Sequence, residues 1–269
     1  MFSAQPLTLT EIWIYPIKSL GGITLTSAKV LPKGLEYDRR FMLIDENGLF
    51  LTQRVHPQMA LFKTSISREN LTITYNGDTL SMSLHPPATQ APRPVQIWDD
   101  LVMANEVDPA YSAWFSQRLG FPCKLVYFPE ENPRAVDPRY KVNDEHVGLA
   151  DAYPFLIIGQ ASLNDLNTRL HTPLPMNRFR PNFVFTGGQP YEEESWSHFT
   201  VGTNRFVGVK PCARCVLTTV NQETAEKGKE PLKTLATYRN FNNKIIFGQN
   251  VVALDHQTIA VGDTVTPNP

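Results

Sequence analysis

Two cysteines three positions apart, Cys212 and Cys215, lie in the stretch Lys210 to Val220, KPCARCVLTTV, of a chain with only three cysteines in 269 residues. A thiolate is both a nucleophile and a soft metal ligand, and a guanidinium beside it, such as that of Arg214, favours the ionised form. The spacing fits a redox dithiol, half of a zinc site, or a holder for another soft metal. Two half-buried small hydrophobes beside a turn are the plain structural alternative. A thioredoxin-type pair opens a helix, whereas Val216 to Val220 is rich in strand formers and reads as a strand. A zinc knuckle needs a second ligand pair, and Cys123 and the six histidines are scattered singly.

Two cationic stretches accompany the thiols. In Asn177-Arg178-Phe179-Arg180-Pro181-Asn182 an extended backbone would put Arg178, Arg180 and Asn182 on one face. Two guanidiniums and an amide together suit an anion or a polar planar ring, although a solvated edge strand carries the same residues. Tyr15-Pro16-Ile17-Lys18-Ser19, followed by Gly21-Gly22, holds the parts of an anion-binding turn without being a Walker loop. Asp38-Arg39-Arg40 alone is a charged turn. There is no GxGxxG, His-Glu-x-x-His, Gly-x-Ser-x-Gly or ferredoxin-type cysteine cluster.

The elements that must position these residues are mostly strands. Twenty-two prolines and fifteen glycines cut the chain into short segments, which favours strands and turns. Leu9 to Tyr15 alternates like a strand. Phe41 to Ile44 with Leu49 to Thr52, Leu71 to Tyr75 with Thr79 to Leu84, and Val95 to Trp98 with Leu101 to Ala104 read as hairpins; the first two turn at Asn-Gly pairs. Asp108 to Leu119 changes to helical spacing, with Asp108 as cap and Gly120 as stop. The proline-rich segment Pro129 to Tyr140 reads as a linker or exposed loop. Beyond it come a strand at Tyr153 to Ile158, a helix opened by Ser162 with Asp165 as its capping partner, and a helix over Pro231 to Tyr238. The remaining strands are Phe183 to Thr186, Phe199 to Val201, Phe206 to Val209, Ile245 to Phe247, Val251 to Leu254 and Thr258 to Ala260. The expected fold class is mainly β with a few helices, in two domains, 1–128 and 129–269.

Apolar residues make up 42% and charged residues 19% of the chain, with a formal net charge of −1. That balance gives a globular core and no global field to recruit nucleic acid or an anionic membrane. The N-terminus lacks the pattern of a secretory signal, and no apolar run reaches the length of a membrane helix. A cytoplasmic protein is expected.

Taken together and in order, several stretches resemble the MOSC-domain molybdenum proteins, within them the YcbX-like proteins and the mitochondrial amidoxime reducing component. These are Tyr15-Pro16-Ile17-Lys18-Ser19, Gly34 to Arg39, Asn177 to Asn182, Pro211 to Cys215 with Thr218-Thr219-Val220, Glu230 to Leu235, and Phe247-Gly248-Gln249-Asn250. The resemblance spans nearly the whole chain. It implies an N-terminal β-barrel domain, a MOSC β-barrel domain, and a pterin-based molybdenum cofactor held between them. Cys215 matches the protein thiolate that ligates the metal, with Arg214 expected to help keep it ionised, and Cys212 carries over only as its motif neighbour. Lys18, Ser19 and Arg39 match positions that contact pterin and phosphate. Arg180, Asn182, Ala213 and Arg214 match further lining positions, and the helix start at Gln160-Ala161-Ser162 places Ser162 among the contacts. The implied activity is reduction of small N-hydroxylated compounds (amidoximes, hydroxylamines, N-hydroxylated bases) by N–O cleavage. Many YcbX-like chains continue into a ferredoxin domain, and this one stops at Pro269, so electrons are expected from a separate donor protein of ferredoxin or flavoprotein type. A non-redox cofactor carrier or a sulfurase-like sulfur-transfer protein is the alternative, since MOSC domains also occur in cofactor sulfurases.

Overall fold

In a computed structural model of the chain, which describes residues 6–87 and 91–268, the fold is mainly β with three α-helices among those residues. Its largest sheet has nine strands. Seven of them close into a barrel in the order Phe155–Gly159, Phe183–Thr186, Leu7–Ile14, Thr264–Asn268, His198–Val201, Asn204–Ala213 and Lys244–Ala253, the last pairing back onto the first. All barrel pairings are antiparallel except that of Phe155–Gly159 with Phe183–Thr186. The strand Leu7–Ile14, from the first tenth of the chain, is therefore a stave of a barrel otherwise built by the second half. It sits between Phe183–Thr186 and the final strand, with Leu7 opposite Val265 and Ile12 opposite Phe183.

Continuous apolar runs appear where a stave is covered on both faces. Phe155, Ile157, Phe183 and Phe185 fill the barrel interior with Phe199 and Phe206, whereas Leu156, Ile158 and Val184 meet Leu163 and Leu166 of helix α2 (Gln160–Thr168) outside it. Phe155 stacks on Phe183 at 5.4 Å and Phe199 on Phe206 at 5.5 Å. Burying one such side chain stabilises the fold by roughly 2–3 kcal/mol.

The first half closes a smaller ring. Phe41–Ile44, Lys124–Tyr127, Asp100–Glu106 and Arg93–Ile97 pair in that order, and Leu49 and Phe50 bridge Gln96 to Ile44. The expected hairpin around Asn47-Gly48 is thus present, its second arm reduced to bridges. Helix α1 (Pro109–Leu119) starts where expected, with the Asp108 carboxylate accepting from the Ala110 N–H and Gly120 left-handed at its end. The proline-rich linker is strapped down by buried cations. Lys33 Nζ donates to the Pro129, Glu130 and Asn132 carbonyls, Arg40 pairs with Glu130, and Arg134 reaches the Gly148, Ala150 and Asp151 carbonyls. No helix among the described residues is long and apolar enough to cross a membrane.

Candidate active site

Residues from both halves line one cleft of about 360 Å³ against the barrel wall, where Leu156 and Lys210 both stand opposite Asn250. Eight of the nine positions singled out in the sequence lie on it: Lys18, Ser19, Arg39, Arg180, Asn182, Ala213, Arg214 and Cys215. Ser162 does not. Helix α2 begins two residues earlier, at Gln160, and the buried Ser162 hydroxyl bonds the Glu193 carboxyl at 2.9 and 3.0 Å instead of capping the helix.

The thiols come to the cleft at the end of Asn204–Ala213, where two register shifts fall at Val209 and at Cys212, either side of Lys210 and Pro211. Such bulges re-aim side chains. The expected strand after Cys215 is instead a single 3-10 turn, Val216–Thr219. The Thr218 and Thr219 hydroxyls donate to the Cys215 and Val216 carbonyls and hold that turn, a competition with sheet pairing that threonine readily wins in short segments.

Each thiol has its own guanidinium, and the pairing differs from the expected one. Arg214 Nη1 lies 2.9 Å from Cys212 Sγ, with Nη2 donating to the Phe179 carbonyl at 2.6 Å. Cys215 Sγ instead accepts from Arg54 Nε at 3.2 Å. Arg54 is in turn fixed by Asp151, Nη2 to Oδ2 at 2.5 Å, and the other Asp151 oxygen takes Lys18 Nζ at 2.6 Å. A chain Lys18–Asp151–Arg54–Cys215 thus runs along the cleft. Burial disfavours charge on both Asp151 and Arg54. The cations beside Asp151 outweigh that and hold its carboxyl well below the usual range, and Asp151 and Cys215 raise Arg54 in the same way. Burial draws Lys18 down to about 8, with Asp151 opposing. Neither Arg54 nor Asp151 has a local sequence signature; both are recruited by tertiary contact alone.

The other end of the cleft is built on Asp38, 2% exposed. Its carboxylate accepts from the Tyr15 N–H at 2.7 Å, from Arg39 Nη1 at 2.5 Å and from Asn182 Nδ2 at 3.0 Å. The Arg39 and Arg180 guanidiniums both lie over the Tyr15 ring, at 4.4 and 4.1 Å. Burial draws Arg180 down to about 10, and its Nη1 donates to the Leu20 carbonyl. The extended reading of 178–182 fails here. Met176–Arg178 is a 3-10 turn and Arg180 is left-handed, so Arg178 leaves the cleft and donates to the Thr218 carbonyl at 2.9 Å. Ser19, Arg39 and Arg180 all have positive φ, 67°, 50° and 55°, a conformation that costs a non-glycine residue about 1–2 kcal/mol and clusters at functional sites. Gly22, read as part of an anion-binding turn, has a packing role: a Cβ there would collide with the Tyr15 ring.

The two half-exposed thiols Cys212 and Cys215 share the cleft with six cationic side chains (Lys18, Arg39, Arg54, Arg180, Lys210 and Arg214) and a single lining carboxylate, Asp151. That donor set suits an anionic, phosphate-bearing planar group with one soft-metal contact. A zinc site is a poor fit, since no cluster of three or more His, Cys, Asp or Glu side chains able to hold a metal forms among the described residues.

Known proteins share this arrangement of domains. The MOSC N-terminal beta barrel domain matches residues 7–122 and the MOSC domain residues 144–266. Mitochondrial amidoxime-reducing component 1 of Mus musculus is 34% identical over 96% of this chain and 81% of its own length. The Homo sapiens protein of the same name is 32% identical over 96% and 82%. A molybdenum cofactor sulfurase of Oryza sativa subsp. japonica is 30% identical over 98% of this chain, which spans 34% of the sulfurase. The chain belongs to the MOSC-domain family, in the branch that joins a MOSC N-terminal beta barrel to a MOSC domain and includes the amidoxime-reducing components.

Proposed function

We propose that the protein is a molybdenum-cofactor-dependent oxidoreductase that reduces small N-hydroxylated compounds. The observation that carries this reading is the single cleft in which the Cys215 thiol faces cations drawn from both halves of the chain. When bound, the cofactor supplies the two-electron chemistry that breaks the N–O bond. For an amidoxime the balance is two electrons and two protons in, and the amidine and one water out.

The residues of the chain have separable tasks. Cys215 holds the metal, and Arg54, locked by Asp151, fixes where its sulfur points. Lys18, Arg39 and Arg180 hold phosphate and pterin, with Ser19, Asn182 and the Ala213–Arg214 backbone shaping the wall. Asp38 sets the Arg39 and Asn182 side chains from beneath. Lys18, drawn down to about 8, can hold and pass a proton at the cleft, while the ionised Asp151 beside it fixes where the ammonium points. Electrons come from an external donor protein, of ferredoxin or flavoprotein type, in the cytoplasm.

The sulfurase similarity favours a second reading, in which the same cleft carries a cofactor for sulfur transfer. Metal analysis of protein from a host competent in cofactor synthesis, followed by reduction of a model amidoxime with a chemical electron donor, tests both. Bound molybdenum with turnover is expected; bound molybdenum without turnover favours the carrier, and a clean preparation without molybdenum overturns both.

A further inference from the structure

Trp98 lines the cleft from a turn position whose backbone conformation suits glycine or asparagine and disfavours a bulky aromatic. It takes the first place of the two-residue turn Trp98-Asp99 between Arg93–Ile97 and Asp100–Glu106, with Ile97 opposite Asp100. Its φ is 55°, a value at which such turns favour glycine or asparagine and a bulky aromatic is an outlier. The side chain gains little burial in return, remaining 43% exposed. It is nevertheless held firmly. Phe50 meets its ring edge-on at 5.0 Å, and the Gln96 amide donates to the Trp98 carbonyl at 2.9 Å. The Arg54 guanidinium lies over the ring at 4.7 Å and donates from Nε to Cys215 Sγ at 3.2 Å. An exposed, immobilised indole therefore stands one guanidinium away from the thiol. Strain retained at such a place points to function.

We propose that Trp98 is the substrate-positioning residue of the cleft and selects flat, π-conjugated N-hydroxylated compounds by stacking on their rings. This deepens the reductase reading and rests on it for the chemistry, though not for the binding. A planar ring stacked on the indole would lie in the same cleft as Cys215. Small aliphatic substrates have no ring to stack and gain nothing from Trp98.

The test compares wild type, Trp98→Ala and Trp98→Phe, as full-length protein loaded with cofactor and reduced by a chemical donor. The substrates are benzamidoxime and acetamidoxime. Trp98→Ala is expected to raise KM for benzamidoxime roughly tenfold, the order of magnitude of one lost aromatic stack. It should leave KM for acetamidoxime and both kcat values within about twofold, and Trp98→Phe should recover most of the loss. Equal losses on both substrates, or no loss on either, overturn the proposal. Benzamidine, which cannot be reduced, gives a second readout: it should quench tryptophan fluorescence saturably in wild type and not in Trp98→Phe, and quenching retained in that variant overturns the proposal. If wild type reduces neither substrate while the quench still requires Trp98, the reductase reading falls and the platform stands; if the quench is also absent, both fall.

Discussion

Glu193 is fully buried, and its hydrogen-bond partners, the Gly159 N–H at 3.1 Å and the Ser162 hydroxyl at 2.9 Å, are both neutral. Burial pushes its carboxyl up from 4.5 to about 7. The folded chain therefore holds this proton more tightly than the unfolded chain does. The resulting stabilisation is fully present below pH 4.5 and is lost as pH rises through about 7. The gap between 4.5 and about 7, at about 1.4 kcal/mol per pH unit, amounts to about 3 kcal/mol. Glu193→Gln replaces the protonated acid with a neutral group of the same shape, its carbonyl oxygen accepting from Gly159 and its amide donating to the Ser162 oxygen. The variant should match wild type near pH 5 and exceed it by up to about 3 kcal/mol at pH 8, read as free energies of urea unfolding followed by tryptophan fluorescence. An offset that does not change between pH 5 and 8, or a variant that loses ground as pH rises, would refute the reasoning.

The two thiols should prove unequal: Cys215→Ala loses bound molybdenum and turnover, while Cys212→Ala retains both, as metal analysis and amidoxime reduction will show. Because Lys18 titrates near 8, affinity of the cofactor-free protein for pyrophosphate should fall as pH rises through about 8, and Lys18→Met should remove that step in a calorimetric titration. Arg134→Ala strands the carbonyls of Gly148, Ala150 and Asp151; it should cost about 3 kcal/mol or more of unfolding free energy, measured by urea denaturation.

Much of the architecture was legible because it rests on local signals. Phe183 to Thr186 reads as a strand from its run of aromatic and β-branched residues, and Asp108 to Gly120 carries its own cap and stop. Cleft positions were legible as a set of motifs, and eight of nine converge. The failures share one physical origin. Val216 to Val220 has strand propensity, yet two threonine hydroxyls fold it back on itself. Alternation across 178–182 presumes extended backbone, and the positive φ of Arg180 breaks it. Arg54 and Asp151 belong to no periodic segment and acquire meaning only when the two halves meet. Propensity is local; a cleft lined from both halves of the chain is not.

The barrel stave Leu7–Ile14 lies beside Thr264–Asn268, so segments far apart in sequence complete the same wall. Without Thr264–Asn268, Leu7 and Thr8 lose their partners on that side, and the barrel cannot close. The shared wall also means that cutting the chain in its linker divides the seven-stranded barrel: the front piece would carry away a stave, and the back piece would expose an apolar seam ready to pair with any available strand. Co-expression of the two fragments should restore what neither achieves by itself.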